Sequence, residues 1–464
     1  MIGEELKYHI RQSFPHVPTA EQEQAISVFA DFMLDRDAHT VMILRGSAGT
    51  GKTTLAGAIV RTMTALKQKM VLMAPTGRAA KVFSLYADSP AYTIHRRIYR
   101  QKKAMEHPGM GFFELNYNAA HDTLFIVDEA SMIANGDTPL LDDLISFVYN
   151  ERNCRLLLIG DSAQLPPVGE TESPALSTYV LRTYGMTVYR AELREVLRQA
   201  QESGILWNAT RIRESSRLPK INVSFPDIRV VPGDELIETL ASSYSKAGID
   251  DTIVVTRSNK RANIYNRGIR ATVLDREDEL CGGDRLMIVK NNYYYGKEKE
   301  EVQFIANGDI ATVQRVRNIH ELYGFRFAEV TLLFPDYDDY ELTATVLLDT
   351  LTSESPSLTR EQQDLLYNKV LEDYQDVQPK SERLRQLKQD KYLNALQVKF
   401  AFAVTCHKAQ GGQWSHVYLD QGYLSDDMMT TDYLHWLYTA FTRATSRLYL
   451  VNWPKTQIEH AEDD

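Results

Sequence analysis

The stretch TVMILRGSAGTGKTT, residues 40–54, decides the fold of the first part of the chain. It begins with a short apolar run typical of a buried strand and continues into the phosphate-loop pattern G-x-x-x-x-G-K-[ST], which a helical pattern follows. In such a loop the glycines let backbone N–H groups surround phosphates, Lys52 supplies a charge for the β- and γ-phosphates, and Thr53 supplies a hydroxyl for Mg²⁺. We therefore predict a nucleotide site formed by Gly46, Ser47, Ala48, Gly49, Thr50, Gly51, Lys52, Thr53 and Thr54.

Similar apolar runs recur along residues 1–175, separated by amphipathic helical patterns. They are KMVLMAP (69–75), TLFIVDE (123–129) and CRLLLIGD (154–161). Alternation of strands and helices predicts a parallel α/β sheet whose ligands lie at the carboxyl ends of the strands.

Three polar side chains follow these runs. Asp128 is placed to hold Mg²⁺ through water, and Glu129 to orient and deprotonate the attacking water. Gln164 can touch the γ-phosphate and report its presence. The alternative, in which the acidic pair only caps a helix N-terminus, is weaker in a chain that has a phosphate loop.

The rest of the chain predicts a second α/β domain interrupted by an insertion. Residues 176–282 and 393–464 again alternate strand and helix patterns. Between them, residues 283–392 contain short alternating strands with Gly-Asp turns, typical of a small β-barrel, and then an amphipathic helix.

Composition limits the class of protein. The chain of 464 residues has 52 basic and 62 acidic residues, a net charge of −10, which by itself argues against a nucleic-acid partner. However, residues 41–110 hold twelve Lys or Arg and two acidic residues, so a local basic face can bind phosphates. Three scattered cysteines, no long apolar run and no signal-peptide core predict a soluble cytoplasmic protein.

A set of motifs in fixed order makes the resemblance specific. The phosphate loop, APTGRAAK, TIHR, VDEAS, GDSAQLPPV, LREVLRQ, VTCHKAQGGQ and YTAFTRA resemble the motifs of superfamily 1 helicases of the 5′–3′ type (superfamily 1B), and most nearly the RecD-like and Pif-like branch. The resemblance implies two RecA-like domains with ATP and Mg²⁺ in the cleft between them, and single-stranded DNA across the top. It also implies an inserted SH3-like barrel and a small wedge at about residues 96–118.

The implied activity is that of an ATP-dependent DNA helicase that moves 5′ to 3′. Its partners would be single-stranded DNA and forked or duplex DNA, with no membrane, and it would work as a monomer with protein partners in repair, recombination or replication. Two other functions stay open: an RNA helicase or RNA-dependent ATPase, and a motor or scaffold subunit of a repair complex.

The resemblance also implies roles for residues around the nucleotide. Gln22 is similar to the residue that contacts the adenine edge, although Gln24 competes for that role. Arg198 and Arg443 are similar to the two arginines that reach the γ-phosphate from the second domain, where planar guanidinium groups stabilise the transition state. Gln410 and Gly411 are implied to link the DNA groove to the nucleotide.

Contacts with the DNA strand are implied for Pro75, Thr76, Arg78, Thr93, His95, Phe112, Phe113, Thr405, His407 and Lys408. Several have a structural alternative: Thr76 and Thr93 can be helix N-caps, and the two phenylalanines can be core residues. Cys406 lies beside His407, but no zinc-ligand spacing or oxyanion site accompanies the pair, so we expect Cys406 to fill the core.

Overall fold

The phosphate-loop strand lies inside a six-stranded parallel sheet. The structure is a computed structural model that describes residues 2–101, 113–136, 139–150, 153–197, 202–296, 302 and 304–459. Its first eight strands are β1 (Thr40–Gly46), β2 (Lys69–Ala74), β3 (Ala91–Thr93), β4 (Tyr99–Gln101), β5 (Phe113–Leu115), β6 (Thr123–Val127), β7 (Arg155–Gly160) and β8 (Thr187–Leu193). Six of them form the sheet in the order β3-β2-β6-β7-β1-β8, and β4 pairs with β5 in a separate antiparallel hairpin. The four predicted strands are therefore confirmed.

Helices cover both faces of this first sheet. They are α1 (Ile2–Gln12), α2 (Ala20–Leu34), α3 (Lys52–Ala65), α4 (Gly77–Ala87), α5 (Ile94–Ile98), α6 (Leu140–Tyr149) and α7 (Thr178–Thr183). Successive side chains of a strand point to opposite faces, so Met42 and Leu44 join the core under α2 and α3 while Val41 and Ile43 join the core under α6. Both faces are apolar, which explains the continuous apolar run in β1.

The first domain extends beyond residue 175, where we had expected it to end. Strand β8 pairs in parallel with β1 from Thr187 to Leu193, so it belongs to the first sheet. It is an edge strand with exposed or half-exposed residues along most of its length. Its sequence TVYRAEL therefore lacks the apolar run that marks the buried strands.

The second domain begins with α8 (Gly204–Glu214), β9 (Ile221–Asn222), β10 (Ile228–Val231), α9 (Leu236–Ala247), β11 (Thr252–Thr256) and α10 (Asn259–Gly268). The chain then leaves the domain for the predicted insertion. This insertion contains β12 (Arg285–Ile288), β13 (Ile310–Leu322), β14 (Phe325–Phe334), β15 (Tyr340–Leu347), α11 (Arg360–Glu372), α12 (Lys380–Leu387) and β16 (Leu396–Phe400).

The five strands of the insertion form a closed barrel in the order β12 to β16. Strand β16 closes it by pairing antiparallel with β12 and parallel with β15. The two helices between β15 and β16 bury Leu366, Val370 and Leu387 against Phe325 and Phe327 at the start of β14. The helical extension thus shares a small core with one end of the barrel.

The chain returns to the second domain through β17 (Ala403–Thr405), α13 (Cys406–Ala409), β18 (Trp414–Asp420), α14 (Thr431–Phe441), β19 (Ala444–Val451) and β20 (Ile458–Glu459). The second sheet is parallel, in the order β10-β19-β18-β11-β17. The expected boundary at residue 393 is wrong, because residues 396–400 close the barrel and only residues 403–405 join the sheet. The continuous run LQVKFAFAVT gives no sign of this division.

Within the described part of the chain, no helix is long and apolar enough to cross a membrane.

Candidate functional site

The phosphate loop is already formed. Gly51 has a left-handed backbone with φ of 77° and caps α3, and a Cβ atom there would lie 2.4 Å from Nε2 of Gln22, so glycine is required. Lys52 donates from Nζ to the carbonyl of Gly46 at 2.9 Å, and Thr50 Oγ1 donates to the carbonyl of Ser47 at 2.8 Å. The first N–H groups of α3 face the loop, which is the arrangement that binds anions.

Gln22 is fixed by two contacts inside the protein. Its Oε1 accepts from the N–H of Thr19 at 3.0 Å, within a capping box that starts α2. Its Nε2 donates to the carbonyl of Thr50 at 3.2 Å. The structure therefore places Gln22 against the phosphate loop, as a buried support of its backbone.

The acidic pair follows β6 at the same edge of the sheet. Asp128 accepts the N–H of Glu129 at Oδ1 (2.9 Å) and the hydroxyl of Tyr86 at Oδ2. Burial and the adjacent Glu129 raise the pKa of Asp128, while Lys52 and the two hydrogen bonds oppose that rise.

Glu129 and Gln164 each carry a buried acceptor that has no partner among the described residues. Glu129 has a left-handed backbone with φ of 53°, an uncommon conformation for a residue with a side chain. Its Oε2 atom and Oε1 of Gln164 are buried and lack a hydrogen-bond partner among the described residues. Buried acceptors normally have partners, so these two atoms fit a site for a hydrated cation and a phosphate-bound water. Together with the exposed hydroxyl-bearing Thr53, the residues fit a Mg²⁺–nucleotide.

Helix α14 of the second domain closes the cleft from the other side. The Tyr438 hydroxyl accepts the N–H of Ala48 in the phosphate loop at 2.9 Å and donates to Oδ2 of Asp161 at 2.5 Å. Burial and Asp161 hold the pKa of Tyr438 far above its ordinary value, so the hydroxyl remains a donor. Thr439 Oγ1 accepts the N–H of Leu165 at 2.8 Å. One face of α14 thus contacts both the phosphate loop and the loop that carries Gln164.

Of the two expected arginines the structure describes Arg443, which contacts its own domain. Arg443 is 2% exposed and donates to the carbonyls of Thr439 (3.0 Å) and Gly412 (3.1 Å) within its own domain. Arg198 lies outside the described residues. Among the described residues, the second-domain arginine that contacts the phosphate loop is Arg213 of α8, which donates to the hydroxyl of Ser47.

The expected strand contacts of the two domains meet at the N-terminus of α4. Thr76 follows Pro75 and β2, and its hydroxyl caps α4 by accepting the N–H of Ala79 at 3.2 Å. A Cβ atom on Gly411 would lie 3.1 Å from Oγ1 of Thr76. Arg78 donates to the carbonyl of Gln413 at 2.8 Å and lies 4.5 Å from the ring centre of Trp414. Gln410, beside this contact, donates to the carbonyl of Leu165 at 2.7 Å.

The remaining first-domain candidates lie near the β4–β5 hairpin. Thr93 is buried and caps α5 by accepting the N–H of Arg96 at 3.2 Å, so its capping role is realised. His95 has a pKa lowered by burial. Phe112 lies outside the described residues, and Phe113 begins β5 with a side chain that the structure does not describe.

The TCHK turn, residues 405–408, separates into core and surface residues. Cys406 is buried against the carbonyl of Trp436 and burial raises the pKa of its thiol to about 12, which confirms that it fills the core. His407 is exposed, with a pKa lowered by partial burial, and Thr405 is half-buried. Lys408 donates to Oδ1 of Asn307 in the barrel at 2.5 Å.

The barrel lies against the expected strand contacts. The carboxyl group of Asp309 lies beside Gly77, because a Cβ atom on Gly77 would be 2.6 Å from Oδ1 of Asp309. The hydroxyl of Tyr337 donates to Oδ2 of Asp309 at 2.7 Å. Lys81 of α4 pairs with Asp336 at 3.6 Å. Burial raises the pKa of Asp309 to about 7. The barrel therefore covers the N-terminal half of α4.

Sequence reasoning missed Tyr86, Tyr438, Arg213 and Asp309. Tyr438 lies within the quoted motif YTAFTRA and could have been singled out there, and Asp309 within the turn NGD. Tyr86 and Arg213 lie in ordinary amphipathic helices, and no local signal marks them.

Two family models match parts of the chain. A family model described as an AAA domain matches residues 19–220, and one described as a UvrD-like helicase C-terminal domain matches residues 400–451. The first covers the phosphate loop and both carboxylates, and the second covers the TCHK turn and α14.

Relatives share modest identity with the chain. The uncharacterized protein R530 of Acanthamoeba polyphaga mimivirus is 23% identical over 89% of this chain and 96% of its own length. The ATP-dependent RecD2 DNA helicase of Deinococcus radiodurans is 32% identical over 36% of this chain, a match that spans 21% of RecD2. The ATP-dependent DNA helicase dda of phage T4 is 25% identical over 64% of this chain and 67% of its own length.

Among solved structures, the chain is similar to a Pif1 helicase from Bacteroides in complex with ADP-AlF3 and single-stranded DNA. It has 15% identity and a TM-score of 0.47 over 96% of this chain and 95% of that one.

Proposed function

We propose that this chain belongs to the superfamily 1B helicases, in their RecD-like and Pif-like branch, and that it is an ATP-dependent DNA helicase; the family-model matches and the helicase relatives support this proposal. It would translocate on single-stranded DNA from 5′ to 3′ and unwind duplex DNA. In this proposal the five-stranded barrel is SH3-like, and the β4–β5 hairpin marks the wedge at the fork. The protein would act as a monomer.

The observation that carries the proposal is the composite cleft. Glu129 and Gln164 of the first domain carry buried acceptors that lack a partner among the described residues, while Tyr438 and Arg213 reach the phosphate loop from the second domain. A site completed by both domains makes hydrolysis depend on how the domains are placed. That dependence is what a nucleic-acid motor needs.

The nucleotide would be held by the backbone N–H groups of the phosphate loop and by Lys52, with Thr53 and Asp128 toward Mg²⁺. Bound Mg²⁺ would neutralise phosphate charge and orient the γ-phosphate. Glu129 would accept a proton from the attacking water, and Gln164 would contact the γ-phosphate.

Charge on the γ-phosphate oxygens would be stabilised by arginines of the second domain. Arg198 and Arg443 remain the proposed pair, and Gln22 the proposed adenine contact. In the present arrangement Arg443 would first have to release a carbonyl oxygen of its own domain. A guanidinium has five N–H groups, so Arg443 can keep part of this support while it turns.

The single strand would run across the ends of both sheets. Pro75, Thr76, Arg78, Thr93 and His95 would contact it from the first domain, and Thr405, His407 and Lys408 from the second. Hydroxyl groups, a histidine and helix N-termini suit sugar–phosphate contacts without sequence preference. Alternate tightening of the two grips during ATP hydrolysis would move the strand.

Strand displacement on duplexes with either a 5′ or a 3′ single-stranded tail tests this proposal. We expect unwinding only from the 5′ tail and only with ATP and Mg²⁺. ATP hydrolysis should be stimulated by poly-dT more than by poly-U, and Lys52→Ala should abolish both activities. Unwinding from the 3′ tail alone would refute the direction, and hydrolysis indifferent to any nucleic acid would refute the motor.

A further inference from the structure

Tyr86 joins Asp128, the carboxylate proposed to hold Mg²⁺, to helix α4. It lies in the last turn of α4, and its hydroxyl donates to Oδ2 of Asp128. Its ring stacks on Phe83 of the same helix, with ring centres 5.1 Å apart. The hydroxyl is therefore presented to Asp128 by a packed ring rather than by a free surface side chain.

The second oxygen of Asp128 is also held. Oδ1 accepts the N–H of Glu129 at 2.9 Å. With one contact at each oxygen the carboxylate cannot rotate without losing a hydrogen bond, yet each oxygen keeps a further lone pair for a metal-bound water. Tyr86 thus fixes the orientation of Asp128, and the backbone that Asp128 anchors carries Glu129.

The opposite end of α4 carries contacts with the second domain and the residues proposed to contact the strand. Thr76 caps its first turn, Gly411 packs against Thr76, and Arg78 donates to the carbonyl of Gln413 at 2.8 Å. An α-helix rises about 1.5 Å per residue and is stiff over this length, so a displacement at its N-terminus is passed to Tyr86 about 15 Å away.

We propose that Tyr86 is a positioning residue that couples strand binding at the N-terminus of α4 to the metal affinity of Asp128. The proposal rests on the proposed function, since it requires a nucleic acid at Thr76 and a Mg²⁺–nucleotide at Asp128. Strand binding fixes the position of α4. The Tyr86 hydroxyl then holds Asp128 in the orientation that accepts Mg²⁺, and Glu129, the next residue, is aligned with it.

The test uses Tyr86→Phe, which removes the hydroxyl and keeps the ring against Phe83. A matched control is Tyr189→Phe, because Tyr189 donates to Oδ2 of Asp35 at 2.6 Å in the same domain. Asp35 lies before the N-terminal end of β1, at the opposite end of the strand from the phosphate loop.

Binding of a fluorescent, non-hydrolysable ATP analogue is titrated with Mg²⁺, with and without a dT oligonucleotide. In the wild type and in Tyr189→Phe we expect the oligonucleotide to lower the Mg²⁺ concentration for half-saturation at least about fivefold, a typical allosteric coupling. In Tyr86→Phe this shift should fall below about twofold. The oligonucleotide affinity without nucleotide should stay the same, and DNA-stimulated kcat should fall about tenfold with KM for ATP unchanged.

The other possible outcomes would overturn either the coupling through Tyr86 or the proposed function. A Mg²⁺ shift of wild-type size in Tyr86→Phe overturns the proposal, as does an equal loss of Mg²⁺ affinity with and without DNA, which would mean positioning without coupling. A lower melting temperature of Tyr86→Phe, together with a DNA-dependent Mg²⁺ shift of wild-type size, would also overturn the proposal. A wild-type protein whose ATP hydrolysis ignores DNA would instead refute the proposed function itself.

Discussion

Removal of the Tyr438 hydroxyl should separate the two domains. In Tyr438→Phe, the N–H of Ala48 loses an acceptor at 2.9 Å and the buried carboxylate of Asp161 loses a donor at 2.5 Å. With the domains joined, the N–H of Ala48 and Oδ2 of Asp161 are left without these partners, although Oδ1 of Asp161 still accepts the N–H of Ala163; water can reach both groups when the domains part. A hydrogen bond to a charged group contributes about 1.5–3 kcal/mol and a neutral one about 0.5–1.5 kcal/mol, so the joined arrangement loses roughly 2–4.5 kcal/mol. The equilibrium between joined and separated domains should therefore move about 30-fold to 1,600-fold, since each 1.4 kcal/mol is tenfold.

Energy transfer between dyes on the two domains measures this equilibrium. Exposed Ala65 and Ser245 accept cysteine substitutions, with the half-buried Cys281 replaced by Ser and the other two cysteines buried. Tyr433→Phe is the matched control, because Tyr433 lies on the same helix and donates to Gln421 inside its own domain. We expect lower transfer and lower kcat in Tyr438→Phe alone. Transfer equal to the wild type in Tyr438→Phe would refute the reasoning.

Three further predictions concern single side chains around the cleft. Glu129→Gln should lower kcat at least about a hundredfold, the usual contribution of a general base, with unchanged binding of a fluorescent nucleotide. Arg213→Ala should lower kcat/KM for ATP about tenfold through loss of a charged contact at Ser47. Arg211→Ala should not, although Arg211 lies on the same helix, because its ion-pair partner is Glu459 in β20. The pKa of Asp309 rises from 3.8 to about 7 in the folded protein, so the folded state binds more protons across that window and its stability falls as pH rises through it. Asp309→Asn should remove this fall, as measured by melting temperature between pH 5 and 8.

The local parts of the fold could be predicted because local chemistry determines them. The phosphate loop needs glycine at residue 51, where a side chain would collide with Gln22, and that requirement appears in the sequence as a pattern. Thr76 and Thr93 were predicted to have two candidate roles, and the capping role is realised for both. Cys406 follows an apolar strand and was correctly placed in the core.

Long-range contacts could not be predicted from local patterns. Tyr86 meets Asp128 across 42 positions of sequence, Arg213 meets Ser47 across 166, and Tyr438 meets Asp161 across 277. Such contacts depend on how whole elements pack, and a tyrosine in an amphipathic helix looks the same whether it meets a carboxylate or solvent. The predicted domain boundaries at residues 175 and 393 are wrong for the same reason, because strand pairing and not composition decides which sheet a segment joins.

Two series of contacts connect the phosphate loop with the proposed strand-contact surface, and they meet at one place. In the first domain, Asp128 is joined through Tyr86 to α4, whose first turn presents Thr76. In the second domain, α14 contacts the phosphate loop, and Arg443 at its end donates to the carbonyl of Gly412, next to the residue that packs on Thr76. A movement of either domain at the phosphate loop would act on the contact between Thr76 and the 410–412 turn. Because both paths end there, we expect this contact to be the place where the proposed hydrolysis and the proposed grip on the strand are coupled.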